Sequence, residues 1–372
     1  MHQLTGLDYA YVPPFWPTAE ERALLQAALL GDDRAVAAWA TVDVAEAVRT
    51  YPTWSLLPLA FFNLKSLGVS MLELPDAAAA FSATSVKNNK LLSAAAEVVR
   101  RFAEVGISSV LLKGSALAVS RYPAPGTRPM FDVDIMVRPR QAMAAAALLV
   151  EMGFRPAIQL SDPVLRTRAS AQFVRSDGVD IDLHWHALGG YVADPFDDAL
   201  WRGTESVEGS GSALQQLRSA EQLVHVVAHA LRNGKPGSHW WLDVALILRS
   251  WEPDDSERLS TLVSLFAMTL PLRGILRYLE REIGCDVPPD IFDALASTEP
   301  GRGEIVRSRI LGRLEPDSTS AALMRSWATY SAVAGAERRF PGPFGFLRFT
   351  WQYLDSSSSD PSALAAVRRK LK

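Results

Sequence analysis

The chain of 372 residues holds a single cysteine, Cys285. One thiol cannot close an intramolecular disulfide, and a chain of this size without a disulfide framework fits a reducing compartment. Charge of one sign is also lacking: 38 Lys and Arg stand against 41 Asp and Glu, a formal net charge of −3. That excludes a global basic field for nucleic acid or anionic lipid, while a local basic groove stays open. No apolar run approaches the roughly 20 residues that span a bilayer. The opening, MHQLTGLDYAYVPPFWP, has no basic segment leading into an apolar one, so no signal peptide is expected and the expected location is cytoplasmic. There is no internal repeat. What is present, 48% hydrophobic and 21% charged residues, is the composition of an ordinary folded protein.

The pattern divides the chain into three regions. Residues 1–105 read as helical. Pro13, Pro14 and Pro17 bar a helix near the start, and then Thr18 and Glu21 make a capping-box signature before an alanine- and leucine-rich run. Further helices are expected over 32–49, 55–67 and 76–104, the last chiefly in its second half. Residues 106–190 alternate strands with helices. ISSVLLKG reads as a buried strand broken by Gly114, with a short helix from Ser115. Pro123, Pro125 and Gly126 make a loop before the strand FDVDIMV. A helix over 140–152 and a strand over 154–160 follow. Asp177-Gly178 between two alternating runs signals a hairpin over 171–185. Residues 191–372 read as helical again, over 219–232, 240–250, 255–282 with an interruption at Pro271, 291–296, 305–314, 320–333 and 346–353. The serines at 356–359 form a flexible joint, and AAVRRKLK is a solvated basic tail.

The strand FDVDIMV carries the chemistry. Phe131, Val133, Ile135 and Val137 point one way, and Asp132 and Asp134 point the other. Two carboxylates side by side on a sheet repel each other unless a cation lies between them or water reaches both. VDIDLHW repeats the design: Val179, Ile181, Leu183 and Trp185 share one face, and Asp180, Asp182 and His184 share the other. If the two strands pair with polar faces aligned, Asp132, Asp134 and Asp182 converge. Asp180 competes with Asp182 for the third place. Three carboxylates suit a hard divalent cation such as Mg²⁺. Two such ions, about 4 Å apart, can clamp an in-line displacement at phosphorus. Upstream, Gly114 lets backbone approach an anion, and Ser115 offers a hydroxyl and a helix start, whose N–H groups favour phosphate.

In this order LLKGSAL, RPMFDVDIMV and VDIDLHW resemble a bacterial family of uncharacterised nucleotidyltransferases within the polymerase-beta-like nucleotidyltransferase superfamily. LVHVVAHA and WWLDVALIL match that family's downstream histidine helix and Asp-containing helix. The resemblance covers residues 111–248, and it favours Asp182 over Asp180. It implies an α+β fold in which a small mixed-sheet core is flanked by N-terminal and C-terminal helical regions. It implies that Asp132 and Asp134 bind two Mg²⁺ ions, or Mn²⁺ in their place. Asp182 would hold the catalytic ion and help to deprotonate the acceptor, while Gly114 and Ser115 would hold the triphosphate. The implied reaction is attack of a hydroxyl on the α-phosphorus of a nucleoside triphosphate such as ATP, with pyrophosphate leaving. With the acidic balance and no basic aromatic groove, a small-molecule or peptide acceptor is expected rather than a nucleic acid.

Neighbouring residues have two readings each. Lys113 is a nucleotide contact or a lysine whose stem packs while its amine reaches water. Arg128 is a nucleotide contact or, the favoured reading, an ion-pair brace for the Asp-x-Asp strand. His184 borders the site or makes a structural hydrogen bond, and Trp185 is core. His225 and His229 share one helix face, toward a cleft or a partner region. No Glu follows His225, so a zinc-protease motif is absent and zinc is not expected. Asp243 reads as buried and paired, with one of these histidines as the candidate partner. Two rival functions stand beside the transferase. One is a catalytically silent nucleotide-binding regulatory or antitoxin-like module, and the other is a metal-dependent phosphohydrolase.

Overall fold

The computed structural model describes residues 16–189, 191–209, 212–233 and 238–311, together with 327, 330, 345 and 346. Apart from those last four positions, the helices expected over 320–333 and 346–353 lie outside the described residues. So do the opening segment, the serine joint and the basic tail.

The first region is helical as expected: α1 (Ala19–Leu29), α2 (Asp33–Trp39), α3 (Val44–Ala47), α4 (Tyr51–Trp54), α5 (Leu57–Ser66) and α6 (Pro75–Glu104). The capping box forms, with the Thr18 hydroxyl accepting from the Glu21 N–H at 3.2 Å and the Glu21 carboxylate from the Thr18 N–H at 2.7 Å. The single helix expected over 32–49 is two. The β-branched pair Thr41-Val42 interrupts it, and Asp43 begins α3 by accepting from the Glu46 N–H at 3.2 Å. α6 is helical throughout and stops at Gly106, whose φ of 76° suits glycine.

The middle of the chain gives β1 (Ser109–Leu111), α7 (Lys113–Ser120), β2 (Val133–Val137), α8 (Ala142–Glu151), β3 (Phe154–Pro156), α9 (Asp162–Thr167), β4 (Ser170–Arg175) and β5 (Asp180–His184). The hairpin turns at Gly178, with φ 83°. Beyond residue 190 come α10 (Asp194–Arg202), β6 (Thr204–Gly209), β7 (Ser212–Leu217), α11 (Ser219–Asn233), α12 (His239–Leu248), α13 (Pro253–Phe266), α14 (Thr269–Tyr278), α15 (Pro289–Ser297) and α16 (Arg302–Leu311). The break expected at Pro271 falls at Ala267, which takes φ 51°, and Pro271 lies in the first turn of α14 where it costs no hydrogen bond. The strands β6 and β7 correct the all-helical reading of this region.

All seven strands form one mixed sheet in the order β3-β4-β5-β2-β1-β7-β6. β5 and β2 run parallel, as do β1 and β7, and the other neighbours are antiparallel. Val133, Ile135, Val137, Phe173, Ile181 and Leu183 pack against α8 and the second half of α6. Val110, Leu112 and Met136 join the other core, which draws on helices of both flanking regions. The loop between α7 and β2 is pinned to α6. Asn88 donates to the carbonyls of Pro125 and Arg128, both at 2.6 Å, and Gly126 lies against Phe81 and Ser85 where a side chain has no room.

Candidate active site

The parallel pairing of β2 and β5 sets Asp134 level with Asp182. The strand period then sends both carboxylates away from the α6–α8 core, with His184 two residues on. Ligand atoms of Asp134, Asp182 and His184 lie within 4.8 Å of one another. The His184 Nε2 is 2.9 Å from Asp134 Oδ1 and 2.9 Å from Asp182 Oδ2. Its Nδ1 faces the His186 carbonyl at 3.2 Å. Both ring nitrogens thus face acceptors, which is the environment of an imidazolium. Burial alone would favour the neutral ring, but Asp182 and Asp134 outweigh it and push the histidine up to about 9.

Lys113 enters from the other side. β1 runs antiparallel to β2, so the end of β1 meets the start of β2, and Lys113 Nζ donates to Asp134 Oδ1 at 2.6 Å. Lys113 takes φ 45°, a left-handed conformation that a non-glycine residue holds at a cost of about 1 kcal/mol. Burial works against the Asp134 carboxylate, yet Lys113 and His184 hold it well below the ordinary carboxylate range. Asp182 is likewise lowered against burial, chiefly by His184, and it accepts from the Ser170 hydroxyl at 3.1 Å.

Asp132 stands outside this three-residue group, one position before β2. Its carboxyl is pushed up to about 6 by burial and by Asp134, with Lys113 opposing. Asp180 accepts from the Gln172 amide and lies two residues further along β5 from His184 than Asp182 does.

Gly114 is required by its neighbour. A Cβ there would overlap the Arg128 guanidinium. The Ser115 side chain is fully buried, and its hydroxyl donates to the Leu112 carbonyl at 2.9 Å. Arg128 is committed elsewhere: its Nε and Nη2 bind the two oxygens of Asp243 on α12 at 2.7 and 2.8 Å. The Tyr122 hydroxyl donates to the same carboxylate at 2.6 Å. Arg128 makes an ion pair, but with Asp243 on α12 and not with the nearby carboxylates expected for a brace of the Asp-x-Asp strand. Asp243 is correspondingly bound by Arg128 and Tyr122, not by a histidine.

His225 is buried, with its Nε2 3.0 Å from the Ala187 carbonyl, and burial pushes it down to about 3. Among the described residues neither His225 nor His229 joins a group able to hold a metal. A cavity of about 310 Å³ lies at the far end of α7, lined by Arg121, Glu205, Arg218, Trp251 and Asp255 among others, and none of the three clustered residues borders it. The sequence reading left His184 undecided, though its place on the Asp182 face was the available signal. Tyr51 and Lys87, close enough to Asp132 to share its electrostatic field, gave no signal because they belong to distant helices.

A solved structure of an antigenic nucleotidyltransferase-like protein from Paracoccidioides brasiliensis aligns with 57% of this chain and 95% of its own, at 15% identity and a TM-score of 0.38. No curated protein matches. The sequence profile of a family described as uncharacterised nucleotidyltransferase matches residues 40–283, about two thirds of the chain and well beyond the motifs themselves. The pairing of Asp134 with Asp182 and the extent of that match agree, and the chain belongs to this uncharacterised nucleotidyltransferase family.

Proposed function

We propose a cytoplasmic, divalent-metal-dependent enzyme that transfers a nucleoside monophosphate from an NTP to a hydroxyl of a small-molecule or peptide acceptor. The observation that carries this reading is the level placement of Asp134 and Asp182 on parallel neighbours, beside the start of α7. The donor set fits Mg²⁺ or Mn²⁺, since carboxylate oxygens are the hard ligands these ions prefer. The positive charges of Lys113 and His184 already gather on the same oxygens. Asp134 and Asp182 would hold the metal, with Asp132 as the third carboxylate of a two-ion site. A bound divalent ion supplies charge neutralisation for the phosphates.

The chain's own residues do the positioning. The first turn of α7, which has no side-chain cap, offers N–H groups for the triphosphate at Gly114 and Ser115. Lys113 brings positive charge to the same place. Asp182 accepts the proton of the acceptor hydroxyl. The hydroxyl oxygen bonds to the α-phosphorus, the bridge to the β-phosphate breaks, and pyrophosphate leaves. We assign these groups to residues 106–190, with residues 1–105 and 191–372 as flanking regions that shape the acceptor side.

The test supplies Mg²⁺, α-phosphorus-labelled NTPs and candidate acceptors. Label moves to an acceptor with the wild-type chain and stays on the NTP with Asp182→Asn. The reading fails if no NTP binds and Asp132→Asn alters neither metal nor nucleotide affinity. One feature favours the silent nucleotide-binding module as a second reading: the Ser115 hydroxyl is turned to backbone and Arg128 to Asp243. Tight NTP binding without pyrophosphate release under any acceptor would select it.

A further inference from the structure

The mouth of the carboxylate site carries an exposed ring and a cation that the catalytic reading does not use. Phe131 directly precedes Asp132 and is 55% exposed, a large apolar surface left open beside charged groups. Tyr51 of α4 packs against it, with ring centroids 5.1 Å apart and planes at 54°. The His239 ring meets Tyr51 edge-on at 5.9 Å. From α6, the Lys87 ammonium stands 4.2 Å from the centroid of the Phe131 ring. Among the described residues Lys87 has no hydrogen-bond or ion-pair partner, whereas Lys113 is paired with Asp134 and Arg128 with Asp243. Phe131 is the residue before Asp132, so the ring and the ammonium over it lie one position from the first carboxylate of the strand.

We propose that Phe131 is the surface on which the nucleobase of the triphosphate substrate stacks, and that Lys87 is the cation that meets its phosphates. The inference rests on the nucleotidyltransferase reading. A nucleotide joins a flat ring to a chain of negative charges, and here an ammonium without a carboxylate partner rests over an exposed ring, from which phosphates would draw it and free the ring face for the base. An acceptor hydroxyl needs neither. Stacking on a single ring is tolerant of base identity, so purines rank above pyrimidines by contact area alone. The N-terminal helices, through Lys87 and Tyr51, thereby become part of the substrate site rather than a scaffold for it.

Equilibrium binding of ATP and of tripolyphosphate, each with Mg²⁺, tests this on wild type, Phe131→Ala, Phe131→Trp and Lys87→Gln. Tripolyphosphate has the charges without the base. Phe131→Ala weakens ATP about tenfold and leaves tripolyphosphate unchanged. Phe131→Trp restores ATP binding, and Lys87→Gln weakens both ligands. Because the Phe131 ring is exposed, melting curves of its variants stay close to wild type. The proposal is overturned if Phe131→Ala leaves ATP affinity unchanged or weakens ATP and tripolyphosphate equally. Wild type binding neither ligand would instead bring down the nucleotidyltransferase reading, and this seat with it.

Discussion

Asp134 accepts from two cations at once, Lys113 at 2.6 Å and His184 at 2.9 Å, while its side chain is only 7% exposed. Removing one of them leaves buried negative charge uncompensated. Lys113→Met in the absence of divalent ions therefore costs about 3 kcal/mol of stability, read from urea midpoints in EDTA. On the proposed reading, Mg²⁺ recovers part of that loss, whereas a structural lysine would show no recovery. Gly114→Ala drives a methyl group into the Arg128 guanidinium and costs about 1–3 kcal/mol, read as a lowered melting temperature. At this scale the sequence was informative where one strand's alternation decides the outcome. Asp182 and His184 share a face because every second residue of β5 does, while the level placement of Asp134 and Asp182 needed the pairing of β2 with β5. The pairing of Arg128 with Asp243, 115 positions apart, has no local pattern behind it and needed the fold to be seen.

At the scale of elements, the loop between α7 and β2 is hydrogen-bonded to α6 through one side chain. Asn88 is fully buried and satisfies two backbone carbonyls of that loop. Asn88→Ala leaves both acceptors without a donor and costs about 2 kcal/mol or more, measured by chemical denaturation. Proteolysis should then cut first between residues 123 and 130, the segment whose carbonyls Asn88 holds to α6. The strands β2, β4 and β5 were legible because apolar and polar residues alternate along β5 and along the first part of β2 and β4, with Asp177-Gly178 marking the turn between the last two. β6 and β7 were not. TESVEG carries one large apolar residue, and SALQQL offers only Leu214 and Leu217. These strands are held by pairing with each other and with β1 rather than by a face of their own. The split of the 32–49 helix was written in Thr41-Val42-Asp43, but helix propensity summed over the window hid it.

Across the whole molecule, helices of both flanking regions share an apolar core with part of the sheet, and Arg128, Tyr122 and Asp243 tie the loop between α7 and β2 to α12 through buried polar contacts. The family match, which runs over residues 40–283, takes in α12 and Asp243 as well as the motif segment. Burial also shapes the acid response. It pushes His225 down to about 3 from an ordinary value of 6.5, and His239 down to about 4. For these two histidines the unfolded chain binds more protons between those values, so their contribution is full above about pH 6.5 and falls as pH drops, whereas that of His184, pushed up to about 9, is full below about pH 6.5 and is lost as pH rises through 9. Each such histidine contributes up to about 1.4 kcal/mol per pH unit across its window. Asp132, pushed up to about 6, works the other way over the same range, so the readout is the difference: on going from pH 7 to 5 the urea midpoint of wild type should lose more relative to His225→Gln.

The most direct measurement of the central claim is NTP affinity with Mg²⁺ and with EDTA, for wild type, Asp134→Asn and Asp182→Asn. The account predicts tight binding only for wild type with Mg²⁺, and a loss of at least about a hundredfold, near 3 kcal/mol, on chelation or in either variant. Equal affinity with and without Mg²⁺, or variants that bind as wild type does, would contradict it.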